Sequence, residues 1–171
     1  MGKNFYTMNK PLPNTFCTFL DAYWVVEAGK GGAGFFVLDA NGQIFLANSR
    51  HILVVSELDA HMKSLKLALR CTQMENINLH KVFISSLELL TLVEGVGSES
   101  TWRLQEQRLD LQRLLLESDH PEVARIPRQW NGLASSLTGR GFKATQLSLF
   151  HQGMERPRWL MRMIEWSGYN F

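Results

Sequence analysis

Two acidic side chains at the edges of predicted elements are the first candidates for chemistry in this sequence. Asp21 lies in 16–26, a run of aromatic and β-branched residues that predicts a strand, and Glu57 opens a predicted helix. Carboxylates are the ligands that a hard cation such as Mg²⁺ prefers. Each acid also has an ordinary explanation, because the helix dipole favours an acid in a first turn and Asp21 fits a plain strand-end acid. The residues alone leave both interpretations open.

The other chemistry-bearing residues show no spacing typical of a site. Cys17 and Cys71 have no metal-binding or redox spacing, which predicts reduced, buried thiols in a reducing compartment. The glycine-rich run 29–34 precedes a strand and lacks the Lys-Ser/Thr pair of a phosphate-binding loop, so it predicts a tight turn. The histidines, none of which has ligand spacing, are His51, His61, His80, His120 and His151.

Positive charge is concentrated towards the C-terminal end of the chain. The formal net charge is +2, but residues 120–162 hold seven Lys or Arg against two Glu, a local net charge of +5. Such a surface could face a polyanion, although a solvated basic surface is commoner. The sequence contains no apolar stretch near the length of a membrane span and no signal-peptide core. We therefore expect an intracellular protein of the nucleus or cytoplasm with no membrane partner.

The first half of the chain predicts three antiparallel strands and then a helix. After the strand at 16–26, segments 35–38 and 44–47 flank Asp39-Ala-Asn-Gly42, an Asn-Gly hairpin signal. Ser56-Glu-Leu-Asp59 matches a capping box at a helix start. An apolar stripe at helical spacing follows this cap: Leu58, Met62, Leu65 and Leu69.

The second half alternates helices with short strands. The whole order, β-β-β-α-β-α-α-β-α, predicts an α/β fold with a mixed five-stranded sheet, three antiparallel strands followed by βα units, and helices on both faces. We expect residues 1–14 to be a loose leader, 15–141 the domain, and 142–171 a C-terminal extension packed on it. The second-half strands are predicted at 79–84 and 123–126, and the helices at 85–92, 101–117, 129–137 and 158–166.

Several short motifs follow one another in a characteristic order and spacing. They are Asp21-Ala-Tyr-Trp24, Leu38-Asp-Ala-Asn-Gly42, Ser56–Leu69, Val82–Leu90, Ile126–Leu137 and the tail Pro157-Arg-Trp-Leu160. Together they resemble the type-1 ribonuclease H domain of plants, the kind found in non-LTR retroelement reverse transcriptases and in stand-alone relatives. The resemblance runs from about residue 16 to the end of the chain, and the order of the motifs carries it.

The resemblance implies a ribonuclease-H-like fold and an endonuclease that cuts the RNA strand of an RNA–DNA hybrid with two divalent metal ions. Four carboxylates normally hold these ions, which must lie roughly 4 Å apart. Matched residue by residue, Asp21 and Glu57 are present as metal ligands, whereas Ser85 and Ser135 stand at the third and fourth positions. Because serine is neutral, we expect any binding of Mg²⁺, or of Mn²⁺ in its place, to be weak.

Three further residues bear on this candidate site. Glu88 follows Ser85 by three residues, one helical turn, so its carboxylate could compensate for the missing acid or could be a solvated surface acid. Arg128 and Asn131 match the Pro-Arg-x-x-Asn motif of the family. They could order the last helix of the domain or bind nucleic acid, since an arginine can bridge backbone carbonyls as well as contact phosphate.

Three functions stay open at this point. The favoured hypothesis is a nucleic-acid-binding domain that recognises RNA–DNA hybrid or double-stranded RNA and whose metal-dependent cleavage is degraded or lost. The first alternative is an active, magnesium-dependent hybrid ribonuclease. The second is a protein-interaction domain without a role on nucleic acid, because fold alone does not decide function. The sequence therefore leaves open whether the chain is an enzyme.

Overall fold

A computed structural model describes residues 15–95, 102–144 and 147–168 and shows one mixed sheet of six strands within them. The predicted leader 1–14 lies outside the described residues. None of the helices in the described ranges is long and apolar enough to cross a membrane. The strands are β1 (Phe16–Val25), β2 (Lys30–Leu38), β3 (Ile44–Leu53), β4 (Leu79–Ile84), β5 (Glu122–Arg125) and β6 (Ser148–His151).

The strand order in the sheet is β5-β4-β1-β2-β3-β6. The pairs β1–β2, β2–β3 and β3–β6 are antiparallel, and the pairs β1–β4 and β4–β5 are parallel. This confirms the predicted mixed sheet of three antiparallel strands followed by βα units. The count of five strands is wrong, because Ser148–His151 adds a sixth strand beside β3 from within the segment predicted as an extension.

Helices cover both faces of the sheet, as predicted. The first helix begins after an N-cap residue, Ser56. Its hydroxyl accepts a hydrogen bond from the backbone N–H of Asp59 at 3.0 Å, as the capping-box pattern requires. Two short 3₁₀ turns, Val26–Ala28 and Arg128–Trp130, join neighbouring elements. The helices are α1 (Glu57–Met74), α2 (Leu87–Glu94), α3 (Trp102–Glu117), α4 (Gly132–Lys143) and α5 (Arg158–Ser167).

The strands are buried on both faces, which separates two apolar cores. One core packs α1, α2 and α3 on the sheet through residues such as Leu65, Leu89 and Leu111. The other packs α4 and α5 on the opposite face, where Leu137 and Leu160 lie in the same cluster as sheet residues such as Phe19 and Phe36. Alternate residues of a strand point to opposite faces, so β1 supplies side chains to both cores and lies at the centre of the molecule.

Helix α4 lies unusually close to β2 because two strand residues there have no side chain. A Cβ atom at Gly34 would lie 2.7 Å from Cβ of Leu137, and one at Gly32 would lie 2.6 Å from the backbone nitrogen of Phe142. Contacts this short do not occur between real atoms, so only glycine fits at either position. Gly34 is paired with Asp21 of β1 in the sheet, which fixes α4 beside Asp21.

Two predictions are corrected by the same packing. The run 29–34 is a turn only at Gly29, which has φ +64°, and its remaining residues belong to β2. The helix predicted at 129–137 instead begins at Gly132 and continues to Lys143. Gly141 lies within this helix, where a Cβ atom would lie 2.5 Å from the carbonyl oxygen of Arg50. These glycines allow close approach between a helix and a sheet.

Candidate functional site

Asp21 is the centre of a buried polar cluster. Its side chain is fully buried. Oδ1 accepts a hydrogen bond from the Ser85 hydroxyl at 2.8 Å and one from the backbone N–H of Ala22 at 2.9 Å. Oδ2 lies 3.2 Å from Nε of Arg128 in an ion pair, although the two groups are not aligned as a hydrogen bond. Both carboxylate oxygens are therefore engaged by groups of the protein itself.

The parallel pairing of β1 with β4 places Ser85 beside Asp21. Phe19 and Phe83 are opposite each other in that ladder. Asp21 and Ser85, each two residues further along, therefore come together where β4 ends. The Ser85 carbonyl also accepts a hydrogen bond from Nε of Arg125 at 3.1 Å. The residue at the third carboxylate position of the resemblance is thus in direct contact with the residue at the first.

Arg128 reaches Asp21 from the 3₁₀ turn that precedes α4. Its Nη2 donates a hydrogen bond to the carbonyl of Ala22 at 3.2 Å, and its guanidinium carbon lies 5.6 Å from the centre of the Trp24 ring. The side chain is 48% exposed. Arg128 therefore holds three neighbouring residues of β1 on one side while its other side faces solvent.

Asn131 joins the same strand to the start of α4. It is fully buried, and its Nδ2 donates a hydrogen bond to the carbonyl of Leu20 at 2.7 Å. Together, Arg128 and Asn131 contact three consecutive residues of β1, from Leu20 to Ala22. These contacts set the position of the N-terminal end of α4 relative to the sheet.

His61 of α1 completes the cluster, and the sequence did not indicate it. Its ring is buried, with Nδ1 4.0 Å from Oδ1 of Asp21 and the ring centre 5.4 Å from that of Trp24. Burial lowers the pKa of His61; the Asp21 carboxylate opposes this effect and the charge of Arg128 adds to it. We therefore expect a neutral imidazole at pH 7 and a single cation, Arg128, next to the carboxylate.

Three other predicted site residues form no hydrogen bond or ion pair with Asp21. Glu57 is exposed in the first turn of α1, one helical turn before His61. Ser135 is half-buried in α4, one turn after Asn131, where its backbone N–H donates to the Asn131 carbonyl at 2.9 Å. Glu88 is exposed in the first turn of α2. Glu57 therefore lies one turn from His61 in α1, and Ser135 lies one turn from Asn131 in α4. Glu88 lies at the surface.

Comparison with known proteins identifies the fold. No protein-family model and no curated sequence matches the chain. Among solved structures, RNase H1 of Halobacterium salinarum NRC-1 is 17% identical, with a TM-score of 0.70 over 75% of this chain and 98% of that chain. LC11-RNase H1, isolated from compost, is 21% identical, with a TM-score of 0.68 over 76% and 96%. LC11-RNase H1 in complex with an RNA/DNA hybrid gives 0.67 at 21% identity over 75% and 97%.

The chain has the ribonuclease H fold. Ribonucleases H are generally dependent on magnesium, so the donor set around Asp21 has to be tested against that ion. A pair of Mg²⁺ ions needs several carboxylate oxygens directed at it. Here the carboxylate of Asp21 accepts from Ser85 and faces the fixed positive charge of Arg128. No group of three or more His, Cys, Asp or Glu in the described ranges is placed to hold a metal ion.

The side chains of the cluster therefore do not fit a magnesium pair. A cation that approached Asp21 would meet the guanidinium of Arg128, and like charges at such a separation repel strongly in a buried site. The neutral hydroxyl of Ser85 supplies no charge to offset that repulsion. The arrangement therefore holds one buried carboxylate whose negative charge is offset by the positive charge of Arg128.

Proposed function

We propose that this chain is a nucleic-acid-binding domain with the ribonuclease H fold, which recognises RNA–DNA hybrid or double-stranded RNA and does not cut it with metal ions. The single observation that supports the loss of cleavage is the state of Asp21, whose carboxylate is bound by the Ser85 hydroxyl and the Arg128 guanidinium. Removing that guanidinium from the carboxylate would have to precede metal binding there, at the cost of an unpaired buried charge.

Positive side chains near Asp21 support a role in binding. Arg125 is exposed beside Ser85, and Arg128 is about half exposed. Both belong to residues 120–162, where the local net charge is +5. A double helix of A-form geometry is recognised mainly through its phosphates and 2′-hydroxyls across the shallow minor groove, so two exposed arginines at one end of the sheet suit this ligand. LC11-RNase H1, which has the same fold, has been solved with such a hybrid.

The order of the sequence motifs favours the plant-type group within this fold. The segments Ser56–Leu69 and Ile126–Leu137 carry most of that resemblance. On this basis we infer a relative of retroelement ribonuclease H domains in which the third and fourth acidic positions became Ser85 and Ser135.

Binding is tested by fluorescence anisotropy with labelled duplexes of equal length. We expect hybrid and double-stranded RNA to bind more tightly than double-stranded DNA, with an affinity that falls steeply as salt rises. Arg125→Gln should weaken binding several-fold and lower the salt slope by about one. The matched control is Arg113→Gln, since Arg113 is also exposed but lies on α3, and it should bind as the wild type does. Absent or salt-insensitive binding would refute the proposal.

Cleavage is tested on the same labelled hybrid with Mg²⁺ and then with Mn²⁺. We expect no product above the background of a matched preparation of Asp21→Asn, because the carboxylate is already neutralised. Metal-dependent cutting by the wild type that disappears in Asp21→Asn would show an active ribonuclease and would overturn the second half of the proposal while leaving the first intact.

A further inference from the structure

A groove separate from the Asp21 cluster lies at the opposite end of α4. Its walls are the C-terminal half of α4, strand β6 and helix α5, and its volume is about 860 Å³. We call this feature the edge groove, because β6 is the last strand on that side of the described sheet. The residues used below to define it are Arg140, Lys143, Leu147, Leu149, Trp159 and Trp166.

The base of the edge groove is held by contacts between its own elements. Nε of Arg140 donates a hydrogen bond to the Ser148 hydroxyl at 2.7 Å, which ties α4 to β6. The guanidinium carbon of Arg140 lies 4.7 Å from the centre of the Trp159 ring, which ties α4 to α5. An arginine stacked on an aromatic ring and held by a hydrogen bond loses little further freedom when a ligand arrives.

Apolar side chains are exposed around this base. Trp166 is 79% exposed, Leu147 is 51% exposed and Leu149 is 44% exposed. Single exposed apolar residues are ordinary, but several around one concave surface indicate a binding site. Tryptophan is also the side chain most often found as an anchor in protein interfaces.

Strand β6 presents a strand edge at the groove, to which an extended polypeptide can pair. It pairs with β3 along one side, from Leu46 opposite His151 to Ser49 opposite Ser148, and no described strand pairs with its other side. A strand edge of this kind can accept an extended peptide through main-chain hydrogen bonds, while alternate side chains of the peptide enter neighbouring pockets. Phe150 of β6 lies in the core with α4 and α5, so its neighbour Leu149 points to the opposite face of the sheet. Trp166 therefore offers an apolar contact on the α4 and α5 face, and Leu149 offers one on the other face.

The charge of the groove selects among possible occupants. The described residues that line it include Arg140 and Lys143 but no Asp or Glu, so an acidic partner is favoured electrostatically. A second copy of this chain in a two-fold dimer would place the same patch against itself, and Lys143 would then face its own equivalent. A nucleic acid strand suits the charges but not the exposed leucines, because protein–DNA interfaces are more polar than protein–protein interfaces.

We propose that the edge groove binds a short, extended segment of a partner protein that carries apolar and acidic residues and adds as a strand to β6. On the face of the sheet covered by α4 and α5, one apolar side chain packs against Trp166 and one acidic side chain pairs with Lys143 and the rim of Arg140. The side chains between them point to the opposite face, where an apolar one packs against Leu149. Arg140 and Lys143 follow Asn131 by nine and twelve residues along α4, and occupation of the groove does not depend on nucleic acid binding at the other end of the helix.

The test uses the full chain and a library of random peptides displayed on phage. We expect the enriched peptides to carry net negative charge together with apolar residues. A synthetic enriched peptide should slow amide hydrogen exchange in β6, and Lys143→Glu or Trp166→Ser should weaken it about tenfold, the loss typical of one interface anchor. The matched controls are Arg113→Glu for charge and Met161→Ser for apolar surface; Met161 is 54% exposed on α5 outside the groove.

Each other outcome would overturn the proposal. Enriched peptides that are neutral or basic, or that bind Lys143→Glu as tightly as the wild type, would remove the acidic partner. Protection of β6 by a single-stranded oligonucleotide, lost in Trp166→Ser, would make the groove a nucleic acid surface. A dimer in sedimentation that Trp166→Ser dissolves would make the occupant a second copy. Absence of duplex binding by the wild type, with peptide binding intact, would count against the proposed function only.

Discussion

The two ends of α4 differ in whether the side chains around them are buried and bonded or exposed. At the N-terminal end, Asp21, Arg128 and Asn131 are bonded to one another or to the backbone of β1, and the carboxylate is fully buried. At the C-terminal end, Trp166 and Leu147 are largely exposed around the edge groove. One end is held together by contacts within the fold, although Oδ2 of Asp21 and Oδ1 of Asn131 have no hydrogen-bond partner there. The other end presents surface that the described residues leave uncovered.

The difference separates a structural role from a binding role. Asp21 and Arg128 form an ion pair whose carboxylate is buried, and removing one partner of such a pair is costly because the other is left as an unpaired charge. An exposed apolar groove adds little to folding and suits binding. Asp21, which the sequence resemblance implies as a metal ligand, therefore ties β1 to the turn before α4, whereas the surface open to a partner lies at the sheet edge.

The largest effect should come from displacing the helix that joins these two regions. In Gly32→Ala, the added Cβ atom would lie well inside van der Waals contact of the Thr138 carbonyl oxygen, so α4 must move away from β2. We expect a loss of about 3 kcal/mol in the free energy of unfolding, at the upper end for overpacking, measured by urea denaturation. The control Gly139→Ala has nothing within 4 Å of its new atom and should stabilise α4 by up to about 1 kcal/mol.

The next effect distinguishes a structural ion pair from a metal site. Asp21→Asn should lower the free energy of unfolding by about 2 kcal/mol, less than for a fully buried pair because Arg128 can turn to solvent. Ser85→Ala should lower it by about 1 kcal/mol, and the double variant should lose less than the sum, since both act on one carboxylate. In a cluster of mutually repelling metal ligands, Asp21→Asn would instead stabilise the protein. A rise in urea midpoint for that variant would therefore contradict our interpretation of the cluster.

The smallest effect concerns the exposed edge and depends on pH. The backbone carbonyl of Gln152 and the carboxylate of Glu75 raise the pKa of His151 on β6, with Nε2 2.9 Å from the Glu75 carboxylate. A raised folded-state pKa gives stability that is complete below the unfolded value of about 6.5 and is lost as pH rises through the folded value. Relative to His151→Gln, the wild type should lose no more than about 0.5 kcal/mol between mildly acidic and mildly alkaline pH, because the pair is partly exposed. A difference that grows with rising pH would have the wrong sign.

Local signals predicted the elements well because their physics is local. The Asn-Gly turn forms as expected, with the Gly42 N–H donating to the Asp39 carbonyl at 3.0 Å, and Ser56 caps α1. The motif order led to the ribonuclease H fold for the same reason, since each motif marks one element. Pairing across the chain was harder to foresee: β6 has four residues and finds its partner β3 only in the folded molecule.

The cluster at Asp21 was predicted in part. The resemblance assigned Asp21 and Ser85 to the first and third positions of one site, and the structure shows the two side chains hydrogen-bonded; their role in that site stays a prediction. The engagement of Arg128 and the burial of His61 could not be read from the sequence, because both depend on where the 3₁₀ turn and α1 meet β1. One signal was available for His61: it follows Glu57 by four residues, on the same side of a helix. The roles assigned to Glu57, Glu88 and Ser135 stay predictions.

The parallel pairing of β1 with β4 has a consequence for how the chain is made. β1, β2 and β3 are consecutive hairpins and can pair as soon as residue 53 is available, but the other edge of β1 needs residues 79–84. Until then, a growing chain carries an unpaired strand edge next to Phe19 and Leu20, both fully or almost fully buried in the finished protein. Exposed edges of this kind invite pairing with other chains, so this edge of β1 is open to such pairing until β4 has been translated.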